Sequence, residues 1–482
     1  MNTPLWQTLQ AALQQSGSRI VLDDGTHRYQ ADELLAAVDA AASALAAYRV
    51  VALAADNGCD WVIADLAALQ AGVTLVPLPL FFSPAQQAHV LASSKAELLL
   101  QPIPGAPLFP GCRTLGATVL QPDATGHSDS AKITFTSGTT GAPKGVCLSQ
   151  TLLLATTRAL LDASGGASLR SHLAVLPLST LLENVAGVYR ALLAGACCHV
   201  PPLAQVGLSG SSGFDVARLC RALDTYTPAS LILVPQLLGE LVAAAQAGWQ
   251  VPASLRFVAV GGARVAPRLV EHARALGLPV YEGYGLSECG SVVCLNTPEQ
   301  DRPGSVGRVL PHVSVEVVND ELVITLPDAS GYLGDPASFS TCVKSGDRVR
   351  IDADGFVHVN GRSKHLLITA FGRNVSPEWV ESELLAQGVI RQCVVLGEAL
   401  PALVALVFAP GADDQHVQQA LDHASLSLPD YARVAHFIRL ETPLLPGSPL
   451  MTDNGRPRRA LIAEHYAAAL AALTLPRTGV QA

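Results

Sequence analysis

Residues 49–79 read RVVALAA, DWVIADLAALQAG and VTLVPLP, two short apolar runs flanking a segment of helical length. Runs this short and this apolar are strands buried on both faces, and parallel pairing around a crossover helix achieves that burial. The same alternation extends to either side. RIVLDDGTHRYQ predicts a hairpin around Asp24-Gly25, and ADELLAAVDAAASALAAY a helix with Asp32 at its N-cap. SPAQQAHVL predicts a helix opened by Ser83-Pro84, and SLRFVAVGG and LPVYEGYG are later strands ending in glycines. Such a chain is α/β, with a largely parallel sheet and helices on its faces.

The texture changes near residue 345, where VRIDADGFVHVNGR reads as a polar-turn hairpin and EWVESELLAQG as a helix. The remainder reads as a small α+β domain. At 482 residues two or more domains are expected. The division falls at 1–363 and 364–482, with a hinge near 362–365.

Charge narrows the function. Forty acidic against thirty-one basic residues give a net charge of −9, and the longest basic cluster is GRPRR at 455–459, so no nucleic-acid partner is expected. Ten scattered cysteines, without a Cys-x-x-Cys pair or zinc spacing, read as reduced core residues of a cytoplasmic protein. The start, MNTPLWQTLQAALQQ, has neither a basic region nor a continuous apolar stretch, so no signal peptide is expected. No window suggests a transmembrane segment.

ITFTSGTTGAPKGV, residues 133–146, gathers glycines and hydroxyls before one lysine, a composition suited to phosphate. It is not a P-loop, because Lys144 precedes Gly145 and Val146 stands where a magnesium-binding hydroxyl would follow. YEGYGLSECG (281–290), SGDRVRIDADGFVHVNGRSKHLLITAFGRNVSPEWVE (345–381) and TDNGRPRR (452–459) complete a set. In this order and spacing, from roughly residue 20 to 465, the set resembles the adenylate-forming superfamily, and LPLSTLLENVAG with ITAFGRNVSPEWVE looks most like its fatty acyl ligase branch. The resemblance implies a large N-terminal multi-subdomain α/β domain plus a small mobile α+β C-terminal domain. It also implies ATP, Mg²⁺, and CoA or the phosphopantetheine of a carrier protein.

The chemistry implied is attack of a carboxylate on the α-phosphate of ATP, two anions whose repulsion must be cancelled in a pre-arranged site. By resemblance, Thr136, Ser137, Gly138, Thr139, Thr140, Gly141 and Lys144 surround the phosphates that depart. Tyr284 stacks on adenine, Ser287 and Glu288 address phosphate and Mg²⁺, and Gly262, Ala263, Glu282 and Gly283 line the acyl and adenine pockets. Asp347 holds the ribose hydroxyls, Arg362 adds charge near the α-phosphate, and Gly372 reaches the pantetheine tunnel once the small domain turns about His365. Each segment alone also fits plain structure: a linker, a strand-ending turn, or a solvated basic loop.

Three positions depart from the family. Gln150 and Thr180 stand where imidazoles are common near the acyl site, and Arg456 stands where the adenylating lysine is usual. Arginine keeps the positive charge but is bulkier and planar, so Arg456 is expected to screen the attack with a slower first half-reaction. Leu178 falls where an amino-acid activator places an aspartate, which disfavours α-amino acids. LILVPQLLGELV and SVVCLN line an acyl tunnel or belong to the core. The expected substrate is a medium- or long-chain, or aryl, carboxylic acid. CoA is the expected acceptor and a separate acyl carrier protein the alternative. A nucleotide-binding protein without turnover is the rival from another class, and a hydrolase is disfavoured because no Gly-x-Ser-x-Gly elbow occurs.

Overall fold

The computed structural model describes residues 4–121, 130–136, 143–209, 213–362, 367–368, 374–398, 400, 402–452 and 455–474. Among these, a nine-stranded sheet runs, from edge to edge, from Arg308–Val309 to Arg28–Gln30. Its interior is parallel: Val280–Leu286, Phe257–Val260, Ser230–Leu233, Ser171–Leu173, Cys197–His199 and Ile20–Asp23 lie side by side. Only the edges, including the hairpin at Asp24-Gly25, are antiparallel.

The expectation of a largely parallel sheet fails for the second sheet. Val50–Leu53, Thr74–Pro77, Leu98–Pro102 and Lys132–Thr136 pair in parallel as the sequence suggested. Beyond them Lys144–Leu148, Glu321–Tyr332, Asp335–Ile351 and Val357–Arg362 add on antiparallel. The reason is connection length. Two residues, 333–334, join Glu321–Tyr332 to Asp335–Ile351, and a parallel crossover needs a dozen or more.

Helix Cys59–Ala71 is buried around almost its whole circumference, its apolar residues interrupted by Asp60 and Asp65, which are buried with hydrogen-bond partners. Asp32 does not cap the helix Ala31–Leu45. Gln30 is the N-cap, and its backbone N–H donates to the Glu33 carboxylate at 2.9 Å, so the chain turns helical two residues earlier than expected. Lys132 is fully buried, donating to Asp65 Oδ1 at 2.7 Å, to Tyr189 at 2.9 Å and to Asn184. This network ties the root of the strand Lys132–Thr136 to helix Cys59–Ala71 and to the π-helical segment Glu183–Tyr189.

Residues from Leu367 onward build cores of their own. Val380, Leu384, Val395, Ala405, Val417 and Leu421 pack on one side of the three-stranded sheet Gln392–Leu396, Leu403–Phe408 and Val434–Arg439. Val394, Val404, Leu406 and Ile462 pack on the other. All ten cysteines are free, and eight are buried. Among the described residues no helix is long and apolar enough to cross a membrane, and no cluster of three or more metal-ligating side chains occurs.

Candidate active site

Thr136 ends one strand and Lys144 begins the next, and the two are direct partners across the antiparallel pair. The two ends of the phosphate-type loop are therefore fixed side by side. Ser137, Gly138, Thr139, Thr140 and Gly141 fall outside the described residues, as do Gly372 and hinge positions 363–365.

Strand Val280–Leu286 carries Glu282, Gly283 and Tyr284 to the same place and runs into the single turn Ser287–Cys289, which holds Glu288. The strand bulges between Tyr284 and Gly285, and a Cβ at Gly285 would collide with the Ser291 carbonyl, so only glycine fits there. Thr136, Lys144, Ser287 and Glu288 line one cavity of about 850 Å³. Ala263, Glu282 and Asp347 line an adjoining cleft of about 1590 Å³. Gly262, Gly283, Tyr284, Arg362 and Arg456 border both spaces. Segments 133–146 and 281–290 thus share one site, and Arg456 faces it from the C-terminal part of the chain.

The Tyr284 hydroxyl donates to Asp347 Oδ2 at 2.6 Å, and Arg362 Nε donates to Oδ1 at 3.1 Å. Asp347 is buried. Burial, then the neighbouring Asp347 carboxylate, pushes the Tyr284 phenol up, so it stays a donor. Tyr332 donates to Glu288 Oε1 at 2.8 Å, and its ring lies 5.6 Å from the Lys144 ammonium. Burial and the Glu288 carboxylate push the Tyr332 phenol up to about 12.

Charge is unevenly placed. Lys144, Lys344, Arg362 and Arg456 line the smaller cavity against the carboxylates Glu288 and Glu321, which favours a polyanion. Arg456 has no hydrogen-bonding or ion-pair partner for its guanidinium among the described residues. The crowded cleft wall and adjacent Arg362 hold it below the usual arginine value. Arg458 and Arg459 differ in role: Arg459 pairs with Glu378 and Glu381, so GRPRR is not one basic face.

Glu282 is buried, which pushes its carboxyl up to about 8 despite Arg264 nearby and a backbone N–H from Val265. Arg264 donates to the Val359 carbonyl at 2.6 Å and lies 5.6 Å from the ring of Trp379, joining the turn after strand Phe257–Val260 to strand Val357–Arg362 and to helix Pro377–Leu385.

From Gly261 the smaller cavity extends between helix Gln150–Ala163 and strands Ser230–Leu233 and Phe257–Val260. Leu231, Ile232, Val292 and Leu295 line it, while Leu233, Leu238, Leu241 and Val293 are core, so each apolar stretch serves both ends. Thr180 also lines it, its hydroxyl tied to the Pro177 carbonyl at 2.6 Å. Gln150 does not line the cavity as expected. Its side chain bonds the Leu69 carbonyl and the Trp6 N–H, at the root of the first helix.

The sequence motifs did not point to Tyr332, Lys344 or Arg264. Lys344, three residues before Asp347, is the one with a readable signal, a lone cation on a polar strand leading to the SGD turn.

The family model for "AMP-binding enzyme" matches residues 9–333. The chain belongs to this family of AMP-binding enzymes. Its class of reaction is AMP-forming acid–thiol ligation. Among sequence relatives, this AMP-binding enzyme is 26% identical to a long-chain-fatty-acid–CoA ligase of Mycobacterium bovis over 461 residues, covering 80% of this chain and 77% of the relative. It is 27% identical to a medium/long-chain-fatty-acid–acyl-carrier-protein ligase of Mycobacterium tuberculosis, covering 91% of each. Its fold is similar to that of the anthranilate CoA ligase AuaEII, solved with anthranoyl-AMP, at a TM-score of 0.81 and 18% identity, covering 97% of this chain and 98% of the other.

Proposed function

We propose that this AMP-binding enzyme activates a medium- or long-chain, or aryl, carboxylic acid with ATP and passes the acyl group to CoA. The observation that carries the reading is the convergence of Lys144, Lys344, Arg362 and Arg456 on one cavity beside the Tyr284–Asp347 pair. In the first step a carboxylate oxygen attacks the α-phosphorus. The bond to the bridging oxygen breaks and pyrophosphate leaves with the electron pair. Thr136 and Lys144, with loop residues 137–141, hold the departing phosphates. Tyr284 and Gly262, with Ala263 and Gly283, frame the adenine, while Asp347 and Arg362 hold the ribose. Arg456 faces the forming bond and lowers the repulsion between the two anions. In the second step the thiol sulfur attacks the acyl carbon and AMP leaves, with the small domain turned about 362–365 and Gly372 beside the pantetheine.

Magnesium fits the donors present. One Glu288 oxygen is occupied by Tyr332, and the other has no partner among the described residues and could bind a cation. A lone carboxylate beside Ser287 matches an ion that takes most of its ligands from phosphate and water. Bound there, it would neutralise triphosphate charge.

The separate cores built by residues from Leu367 onward support the proposed division at 1–363 and 364–482. The cytoplasm suits an enzyme whose ten cysteines are all unpaired. The carrier-protein acceptor stays as the second reading, favoured by the Mycobacterium tuberculosis relative. ATP–pyrophosphate exchange against fatty, aryl and amino acids tests the first step. Exchange with fatty or aryl acids supports it, and silence across the panel favours nucleotide binding without turnover. Labelled acid offered with CoA and carrier protein together decides the acceptor.

A further inference from the structure

Arg190 takes no part in this chemistry, yet it lines the cavity where the chemistry is proposed to occur. It is only 4% exposed. Nε donates to the Ala186 carbonyl at 3.2 Å and Nη2 to Ser230 Oγ at 2.9 Å, while the buried Nη1 has no partner among the described residues. No carboxylate is committed to it. Glu183, whose charge it feels, gives one oxygen to His172 Nε2 at 2.8 Å and the other to the Leu176 N–H at 2.9 Å. A permanent cation with an idle donor is unfavourable in a closed interior until something completes it.

Its position says what completes it. His172, Ser230 and Phe257 are in register on three adjacent parallel strands, and all three line the cavity. The other ends of these strands, Val260 with Gly261 and Gly262, border Gly283 and Tyr284. Three strand steps separate the two rows, about 10 Å. Arg190 and Ser230 therefore stand at the far end of the space an acyl chain would occupy. Ser164, whose buried hydroxyl has no partner among the described residues, lines the same cavity.

We infer that the cognate acid carries a second carboxylate at the end remote from the activated one, and that Arg190 binds it, held in place by Ser230, whose own hydroxyl donates to the Ser171 carbonyl at 3.2 Å. The inference rests on the adenylation reading and narrows its substrate class to dicarboxylic acids of medium length or their aryl counterparts. A methyl terminus would leave the Arg190 donor facing hydrocarbon, whereas a carboxylate supplies both the missing acceptor and the missing charge.

The test is ATP–pyrophosphate exchange on the full-length enzyme with matched acids: hexanoic against hexanedioic, octanoic against octanedioic, decanoic against decanedioic, benzoic against terephthalic. At the best-fitting length the diacid is expected to lead in kcat/KM by about tenfold or more, chiefly through KM. In Arg190→Met that ratio is expected to collapse, with Arg190→Lys recovering part of it. A monoacid equal to or better than its diacid in the wild-type enzyme overturns the inference while leaving adenylation intact. Silence with every acid overturns both. The wild-type comparison decides the matter even if Arg190→Met fails to fold.

Discussion

The Tyr284 hydroxyl reaches Asp347 Oδ2 at 2.6 Å, joining the strand that carries the aromatic ring to the strand that carries the buried carboxylate. Under the proposed roles, the adenine and ribose contacts are therefore one mechanical unit. Tyr284→Phe keeps the ring surface but loosens Asp347. The KM for ATP is expected to rise about tenfold with kcat little changed, the scale of one charge-assisted hydrogen bond. Asp347→Asn removes the charge itself and is expected to lower kcat/KM for ATP by about a hundredfold. Pyrophosphate release across an ATP titration measures both, and an Asp347→Asn enzyme that matched wild type would remove Asp347 from the ribose site.

Glu288 and Tyr332 form a second pair, at 2.8 Å. The phenol holds the carboxylate in place and stays protonated, because burial and Glu288 push it up to about 12. Glu288→Gln is expected to shift half-saturation by Mg²⁺ upward by about tenfold or more, and Tyr332→Phe by a few-fold. Chelation should stop exchange in all three proteins. A Mg²⁺ titration of the exchange rate that Glu288→Gln leaves unmoved would place the ion elsewhere.

Much of this arrangement was legible. The strand–helix–strand unit at 50–77 announces itself because buried parallel strands are apolar throughout, whereas Val280–Leu286, only partly buried, is marked by its glycines. The second sheet was less legible. Ser314–Val318 is largely exposed although its partner strand is buried at Leu322–Ile324, so its own residues carry little burial pattern to read. Asp32 misled because an acid near a helix start suits both the N-cap and the first turn. Tyr332 belongs to no motif and Arg264 only ends the GGAR turn at 261–264, and the importance of both comes from what the fold sets beside them. Lys132, read from sequence, is one more surface lysine; only the packing shows it sealed against Asp65, Asn184 and Tyr189.

Gly187 sits against the pair His172–Glu183. A Cβ there would lie 2.6 Å from His172 Nε2 and closer still to Glu183 Oε1. Gly187→Ala must therefore push the buried pair apart, leaving polar atoms unmet. A loss of about 2–4 kcal/mol is expected, read as a lowered thermal midpoint and denaturant midpoint. An unchanged midpoint would mean that the π-helical segment yields without strain.

Glu282 gives the fold a pH signature. Its carboxyl, pushed up to about 8 by burial, binds a proton in the folded chain that the unfolded chain has already lost. Between the ordinary glutamate value and about 8 the folded state holds more protons, so stability falls as pH rises. The slope from this group is at most about 1.4 kcal/mol per pH unit, and its contribution is full below the unfolded value. Glu282→Gln is expected to flatten the curve in that window. Denaturant melts from pH 5 to 9 test this, and a slope identical in the two proteins would assign the effect to other groups.

Arg456 is the position where this chain departs most from its relatives' chemistry as read from sequence. It borders the cavity with Glu288, Tyr284 and Arg362, and no described side chain engages its guanidinium. A cation held free beside the nucleotide space is suited to the transition state of carboxylate attack, not to structure. Arg456→Ala is expected to slow ATP–pyrophosphate exchange by about a hundred- to a thousandfold, the range for loss of one preorganised charge. Under the proposed turn of the small domain between the two half-reactions, thioester formation from supplied acyl-AMP should fall far less. Arg456→Lys should recover much of the first step, because charge is retained in a more compact group. Equal losses in both half-reactions would point to misfolding of the Thr452–Arg456 turn, held by its own backbone bonds, and not to catalysis. Equal rates in wild type and Arg456→Ala would move the role of charge screening to Lys144, Lys344 and Arg362.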